Sequence, residues 1–326
     1  MIIPIVDSLR YENISDEQYF SDKYSEYISN SRLSLINPEQ NGSEELYLTN
    51  SHKSSPSLIL GSAIHCITLQ PNEFIIANKC GRPTAKLGQV ADYLYVNYYK
   101  PNKAVSDEQV IEASNVIDYY KDKMNNEKIK NVYSKCYPYW ETRFLYEIKS
   151  DSFKEPIFLD DSSYDKAISC INSLNQNKNI QTLLNPSEAI IMNEAALFMD
   201  FLYKNNNKEC ILKFKAKLDN FTIKENCLTL NDLKTTGHYV DQFKESFEKY
   251  HYYRQVGVYA YLLKIYAQKY HNISEIDSLK CNLLLVSTIP NYKSKIFKVT
   301  KYDIERGWNE FVKLMNLVGD VTTRRI

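Results

Sequence analysis

Ile211-Leu212-Lys213-Phe214-Lys215-Ala216-Lys217-Leu218-Asp219 and Leu228-Thr229-Leu230-Asn231-Asp232-Leu233-Lys234-Thr235 read as the two arms of one β-hairpin. In the first run the side chains alternate with period two, the pattern of a half-buried strand. Leu212, Phe214, Ala216 and Leu218 fall on one face, and Lys213, Lys215, Lys217 and Asp219 on the other. In the second run Asp232 and Lys234 share a side, with Leu233 opposite. A two-residue turn at Glu225-Asn226 then sets Asp219 directly across from Asp232. Cross-strand neighbours stand about 4.5–5.5 Å apart at Cβ, close enough for two carboxylates to share one divalent cation.

Two carboxylates and a lysine at one spot suit the hydrolysis of a phosphodiester. The ester is anionic and its phosphorus is shielded, so attack needs a cation on the non-bridging oxygens. Hard oxygen ligands hold Mg²⁺, which keeps several waters and takes one or two carboxylates; Mn²⁺ suits the same donors. The metal acidifies a bound water and offsets charge on the pentavalent phosphorus. Lys234 can orient that water and offset the same charge. Leu233, with its side chain in the core, leaves its carbonyl free as a further ligand. Lys213, Lys215 and Lys217 share the parity of Asp219, which favours contact with DNA phosphates. Glu147-Ile148-Lys149 repeats the acid-x-Lys form at the end of another strand-like run, but no acid-bearing hairpin partner precedes it.

The surrounding motifs extend the set. Gly61-x-x-x-His65, followed by Leu69-x-Pro71, lies in a short apolar helix, and Glu194 opens an apolar run. Lys215-x-Lys217-x-Asp219, Asp232-Leu233-Lys234-Thr235 and Gln255-x-x-x-Tyr259 follow in order, the last pair at i and i+4 on one helical face. With the Ser-rich Ser29-Asn30-Ser31-Arg32-Leu33, this series resembles the PD-(D/E)XK nuclease superfamily, and within it the exodeoxyribonuclease VIII (RecE-type) phage exonucleases. The resemblance covers much of residues 25–290. It implies a restriction-endonuclease-like α/β core, with Asp219 and Asp232 as main metal ligands and Lys234 as the catalytic lysine. It further implies that His65 ligates or adjoins a second metal and that Glu194 is an accessory acid. Gln255 and Tyr259 would hold the scissile strand or brace the site. Leu218 and Lys217 depart from the proline and arginine common in the family, and neither change removes a ligand. Taken alone, a histidine in an apolar helix reads as readily as a packed core residue.

Composition sets wider bounds. The chain has 326 residues, with Lys+Arg and Asp+Glu both at 40. A zero net charge argues against a non-specific DNA coat protein, while a nuclease needs only a local basic groove. The seven cysteines are scattered, with no C-x-x-C pair, so neither a zinc site nor an iron–sulfur cluster is indicated. Free thiols fit a reducing compartment. No signal peptide is evident, and no apolar run approaches the roughly 18 residues of a membrane span. A soluble protein of the bacterial cytoplasm is expected.

The elements are expected as a loop over 40–56, helices near 86–99 and 106–127, and strands at 141–149 and 189–203. The hairpin at 210–235, a long helix over about 244–270, a strand at 280–289 and a helix near 302–318 complete them. This is a mixed β-sheet flanked by helices, in a single domain spanning 1–326. The core covers about 25–80 and 140–318, and a helical insertion at about 80–135 would face DNA or another subunit. The function these readings imply is a Mg²⁺-dependent 5′-to-3′ exonuclease on double-stranded DNA in phage-type recombination. Its implied partners are a single-strand annealing protein and further copies of itself in a homo-oligomer. Alternatives are a RecB-like nuclease for single strands or flaps, and an inactive DNA-end binding protein.

Overall fold

The computed structural model describes residues 1–49, 56–78, 81–119, 124–149, 155–205 and 208–325. The chain begins with β1 (Ile2–Glu12), the short helices α1 (Asp16–Tyr19), α2 (Asn30–Ser34) and α3 (Glu44–Thr49), and then α4 (Pro56–Leu69). Next come β2 (Phe74–Asn78), α5 (Ala85–Leu94), the single turn α6 (Lys100–Asn102), α7 (Asp107–Val116), α8 (Asn126–Lys149) and β3 (Glu155–Leu159). The helices α9 (Asp161–Gln176) and α10 (Lys178–Leu184) lead into β4 (Ile190–Asn205), β5 (Lys208–Lys224) and β6 (Cys227–Thr236). The chain ends with α11 (Phe243–Lys249), α12 (Tyr252–His271), β7 (Ser278–Ser287), β8 (Ser294–Val299) and α13 (Lys301–Arg325).

The chain divides into two compact units. The first comprises Met1–Leu69 and Ile168–Ile326, the second Gln70–Ala167. In the first, six strands form one sheet in the order β1-β4-β5-β6-β7-β8, antiparallel at every junction except β6–β7. A parallel neighbour requires a crossover, and α11 and α12 supply it. The alternating residues Leu212, Phe214, Ala216 and Leu218 of β5 pack with Val258, Leu262 and Tyr266 of α12 and Phe311, Leu314 and Val318 of α13 in one apolar core. That core is why β5 alternates as it does.

The second unit pairs β2 with β3 in parallel and surrounds a second core with α5, α7 and α8. Tyr95, Tyr99, Tyr139 and Trp140 are buried there, and the Trp140 indole donates to the Ala91 carbonyl at 2.9 Å. Among the described residues no helix is long and apolar enough to cross a membrane.

Several expected elements differ. The run at 141–149 is the end of α8, because Val132, Cys136 and Trp140 continue a helical spacing into the second core. The helix expected over 106–127 is interrupted, with α7 ending at Val116 and Asp118 taking a φ of +51°. The helix over 244–270 is two, parted at His251, whose φ is +52°. The loop over 40–56 contains α3. The N-terminal edge strand β1 and the closing strand β8 had no clear apolar alternation to mark them.

Candidate metal centre

The hairpin has the register read from the sequence. Lys224 pairs with Cys227 and Asn220 with Asn231, so Asp219 and Asp232 come next in line. The turn residue Glu225 takes a φ of +52°. On its other side, β5 pairs Asn220 with Asn193 and Leu218 with Ala195, so Glu194 lies across from Asp219. Asp219 therefore stands on the middle strand of three, flanked by an acid on each side.

The alternation of β5 slips at this point. Leu218 and Phe221, three residues apart, both enter the main core, as do Met192 and Ala195 on β4. Glu194, with a φ of +53°, sits within that irregularity. A left-handed residue inside a strand turns its neighbours out of the regular pleat. Both Asp219 and Asn220 are thereby released from the core face.

His65 reaches the acids from α4. Its Nδ1 lies 3.5 Å from Asp219 Oδ2, and one ligand atom each of His65, Glu194 and Asp219 fall within 4.8 Å of one another. Helix α4 can come this near because of Gly61. A Cβ on that residue would stand 3.1 Å from Thr235 Oγ1 on β6. The same helix is tied down at its end, where Asn193 Nδ2 donates to the Leu69 carbonyl at 2.8 Å.

Asn193 also begins a row of four asparagines that sequence reading missed. Asn220 donates to Asn193 at 2.7 Å, Asn231 to Asn220 at 2.8 Å, and Asn282 to Asn231 at 2.9 Å. These residues are directly paired across β4, β5, β6 and β7. The row lies one residue from Glu194, Asp219 and Asp232 on their respective strands, and it locks the register that aligns them.

Asp232 is held differently from the other acids. Its Oδ2 lies 2.6 Å from Lys234 Nζ, and its Oδ1 accepts from Gln255 Nε2 at 3.0 Å. It stands outside the three-residue cluster. Tyr259 is one helical turn from Gln255 and interacts with it, so the expected i, i+4 pair stands at Asp232, with Gln255 making the bond. Leu233 is buried as expected; its N–H donates to Asp219 Oδ2 at 2.8 Å, and His65 is hydrogen-bonded to its backbone. The Lys234 ammonium also lies 5.2 Å from the centre of the Tyr252 ring.

Each lysine of the row has a partner within the chain, Lys215 and Lys217 turned inward and Lys213 in an ion pair at the surface. Lys213 pairs with Glu26 at 2.7 Å, and Lys215 is buried, donating to the Tyr19 carbonyl at 2.8 Å. Lys217 bridges Asp16 and Glu194, the latter at 2.9 Å. The cover comes from the segment between β1 and α2. The fully buried Arg254 was also missed: it binds Glu310 at 3.0 Å, Asn30 at 2.9 Å and Ser34 at 2.7 Å, fastening the Ser-rich segment to α12.

The electrostatics follow from this crowding. Burial, and then Asp219, push the Glu194 carboxyl up to about 7 against the pull of Lys217. Burial and Asp232 likewise raise Asp219, opposed by Lys234 and the Leu233 N–H. His65 keeps about a quarter of its side chain in solvent, at 25 %. The dense protein around it and the Lys234 charge still lower its pKa and favour the neutral ring. Burial alone would lower Lys234, but Asp232 and Asp219 outweigh it and hold the ammonium above its usual range.

These donors fit a divalent cation. One neutral imidazole nitrogen and two carboxylates converge, and the negative charges that raise Glu194 and Asp219 are those a cation would relieve. Asp232 Oδ2 is buried and, apart from the Lys234 ammonium, has no partner among the described residues.

No family model matches the chain, and no curated protein does. Among solved structures, a protein of Eubacterium rectale described as a candidate exonuclease is similar at 14% identity, covering 97% of this chain and 88% of that one, with a TM-score of 0.48. The protein SSO0001 is similar over 54% of this chain and 71% of its own, at 14% identity and a TM-score of 0.24. VC1899 of Vibrio cholerae is similar at 12% identity and a TM-score of 0.18, with 94% of this chain and 56% of that one covered. At these scores the likenesses assign no function.

Proposed function

We propose that this chain is a metal-dependent nuclease that hydrolyses DNA phosphodiesters through a PD-(D/E)XK-type centre, acting as a 5′-to-3′ exonuclease on duplex ends in recombination. The observation that carries the reading is the convergence of His65, Glu194 and Asp219 beside the Asp232–Lys234 pair, on adjoining strands and one helix. His65, Glu194 and Asp219 would hold the cation, with Asp232 completing the site from the neighbouring strand. A bound Mg²⁺ or Mn²⁺ supplies Lewis acidity and a water of lowered pKa.

The rest falls to the protein's own groups. Lys234 stays protonated at neutral pH because Asp232 and Asp219 face it. It can donate to a non-bridging phosphate oxygen, where negative charge grows as the bond to the leaving oxygen breaks. Gln255 holds Asp232 in place, with Tyr259 one helical turn further on beside it. Glu194, near neutrality, can give up its proton as the cation binds. With Lys215 and Lys217 turned inward, Lys213 is the lysine of that row left at the surface for a phosphate. Duplex DNA, an annealing protein and further copies of the chain are the partners this reading expects.

Incubation with linear and covalently closed duplex DNA plus Mg²⁺ or Mn²⁺ tests the proposal. Degradation of linear DNA alone, released stepwise from a labelled 5′ end and lost in Asp219→Asn, is expected. Wild-type protein that cuts neither form with either metal would overturn it.

A further inference from the structure

We infer that Tyr250, backed by Tyr252, is a stacking platform for a nucleobase beside the cleaved bond, so the strand entering the centre is unpaired there. The inference rests on the nuclease reading and names the form of the substrate. Three rings carry it. The Phe243 and Tyr252 rings are stacked, with centroids 5.7 Å apart and planes 5° from parallel. Tyr252 faces the Lys234 ammonium at 5.2 Å. The Tyr250 centroid lies 5.8 Å from that of Tyr252 with the planes tilted by 47°, so Tyr250 adjoins the stacked pair without continuing it, and it is half exposed at 50 %. The aromatic series thus leads from the lysine of the centre out to solvent.

The exposed ring stands on a rigid base. It sits at the break between α11 and α12, where the next residue, His251, is left-handed. The His251 ring is fixed by Glu310 at 2.7 Å and by Tyr253 at 2.7 Å, and Arg254 beside it is buried on Glu310. The network fixes the backbone next to Tyr250 rather than its ring, and so limits where the ring can go. The Lys249 ammonium lies over the Tyr250 ring, 5.5 Å from its centre, and on a flexible stem it can swing from that face to the adjoining backbone when a base lands. Every base has a π face, so stacking serves an enzyme that must accept any sequence. A base inside a duplex already has two stacking neighbours. It can occupy Tyr250 only after leaving the helix, which requires a single strand or a frayed end.

The test uses the full chain, with Tyr250→Ala and Tyr250→Phe, on single strands carrying one abasic site at successive distances from the labelled end. On intact strands Tyr250→Ala should raise KM about ten-fold, in line with loss of one base–aromatic stack, with kcat little changed. Tyr250→Phe should match wild type. At one abasic position wild type should lose the same factor, and Tyr250→Ala should lose nothing further. Equal KM for all three proteins, or additive losses at every abasic position, would overturn the platform. Quenching of 2-aminopurine without metal gives an independent readout: wild type and Tyr250→Phe should quench it, and Tyr250→Ala should not. If wild type cleaves neither these strands nor linear duplex DNA, the nuclease reading fails, and the quenching experiment still decides whether Tyr250 stacks a base.

Discussion

Glu194 stands across from Asp219 at the one position that the β4–β5 ladder skips, and its backbone there is left-handed, with a φ of +53°. A residue with a Cβ in that conformation costs about 1–2 kcal/mol, and the residue carrying the strain also carries a largely covered carboxylate. The geometry trades stability for an acid aimed at Asp219 and His65.

Glu194→Gly should therefore separate the two. Glycine accepts a positive φ freely, so urea unfolding without metal should show a gain of about 1 kcal/mol. Titration with Mn²⁺ should show affinity reduced at least ten-fold. A variant that is destabilised and still binds Mn²⁺ normally would contradict both roles.

The raised carboxyl of Glu194 predicts a specific pH dependence. Between the range of an exposed glutamate and about 7, the folded protein holds a proton that the unfolded chain has released. Stability without metal should thus fall as pH rises through that window and level off above it. Cation binding displaces the proton, so the thermal shift produced by Mn²⁺ should be larger at pH 8 than at pH 5.5. Glu194→Gln should flatten both trends relative to wild type. Parallel curves for the two proteins would remove Glu194 from the site.

Lys234 and Asp232 form a buried pair, so removing one partner strands the other. Lys234→Ala should destabilise by about 3–5 kcal/mol, much of it the cost of the unpaired Asp232 charge. The double variant Lys234→Ala with Asp232→Asn should recover most of that loss in urea unfolding. Neither protein should cleave DNA, with rates down at least about 100-fold. Recovered activity in the double variant would show that the pair serves the fold alone.

The parts of this site that were legible in the sequence are those set by short-range geometry. The facing of Asp219 and Asp232 follows from period two and a two-residue turn, and the Gln255–Tyr259 pair follows from helical spacing. What long-range contacts decide was not legible. Lys215 looked exposed because its cover, the Tyr19 carbonyl, comes from a segment 196 residues earlier. The left-handed backbone of Glu194 has no signature in a run as apolar as the one after it. The four asparagines resemble ordinary polar residues until four strands are set side by side. The break at His251 was hidden because Phe243–Lys249 and Tyr252–His271 both carry helical patterns, while the Glu310 that holds His251 lies in α13.

The asparagine row predicts a register lock. Asn220 is buried and bonded to asparagines on both neighbouring strands. Asn220→Ala removes a partner from the buried Asn231, which keeps the Leu183 carbonyl, while the exposed Asn193 can turn to water. A loss of about 1–3 kcal/mol in urea unfolding is expected. A near-neutral change would mean that the row contributes little to aligning the acids.

The approach of α4 to β6 gives the most local test of how His65 is placed. A methyl at position 61 would stand 3.1 Å from Thr235 Oγ1, tighter than ordinary contact, so helix or strand must shift by a few tenths of an ångström. His65 lies one helical turn further on and already sits 3.5 Å from Asp219, so a small outward shift draws its ring away from the acids. Gly61→Ala should then weaken Mn²⁺ binding several-fold, while the helix itself gains from alanine by about 1 kcal/mol. Thr235→Ala removes the obstructing oxygen and should restore Mn²⁺ affinity in the double variant. The effect runs through the position of His65, so once His65→Ala is in place the methyl at 61 should cause no further loss of Mn²⁺ affinity. Unchanged Mn²⁺ affinity in Gly61→Ala would show that His65 follows the acids independently of how closely α4 packs on β6.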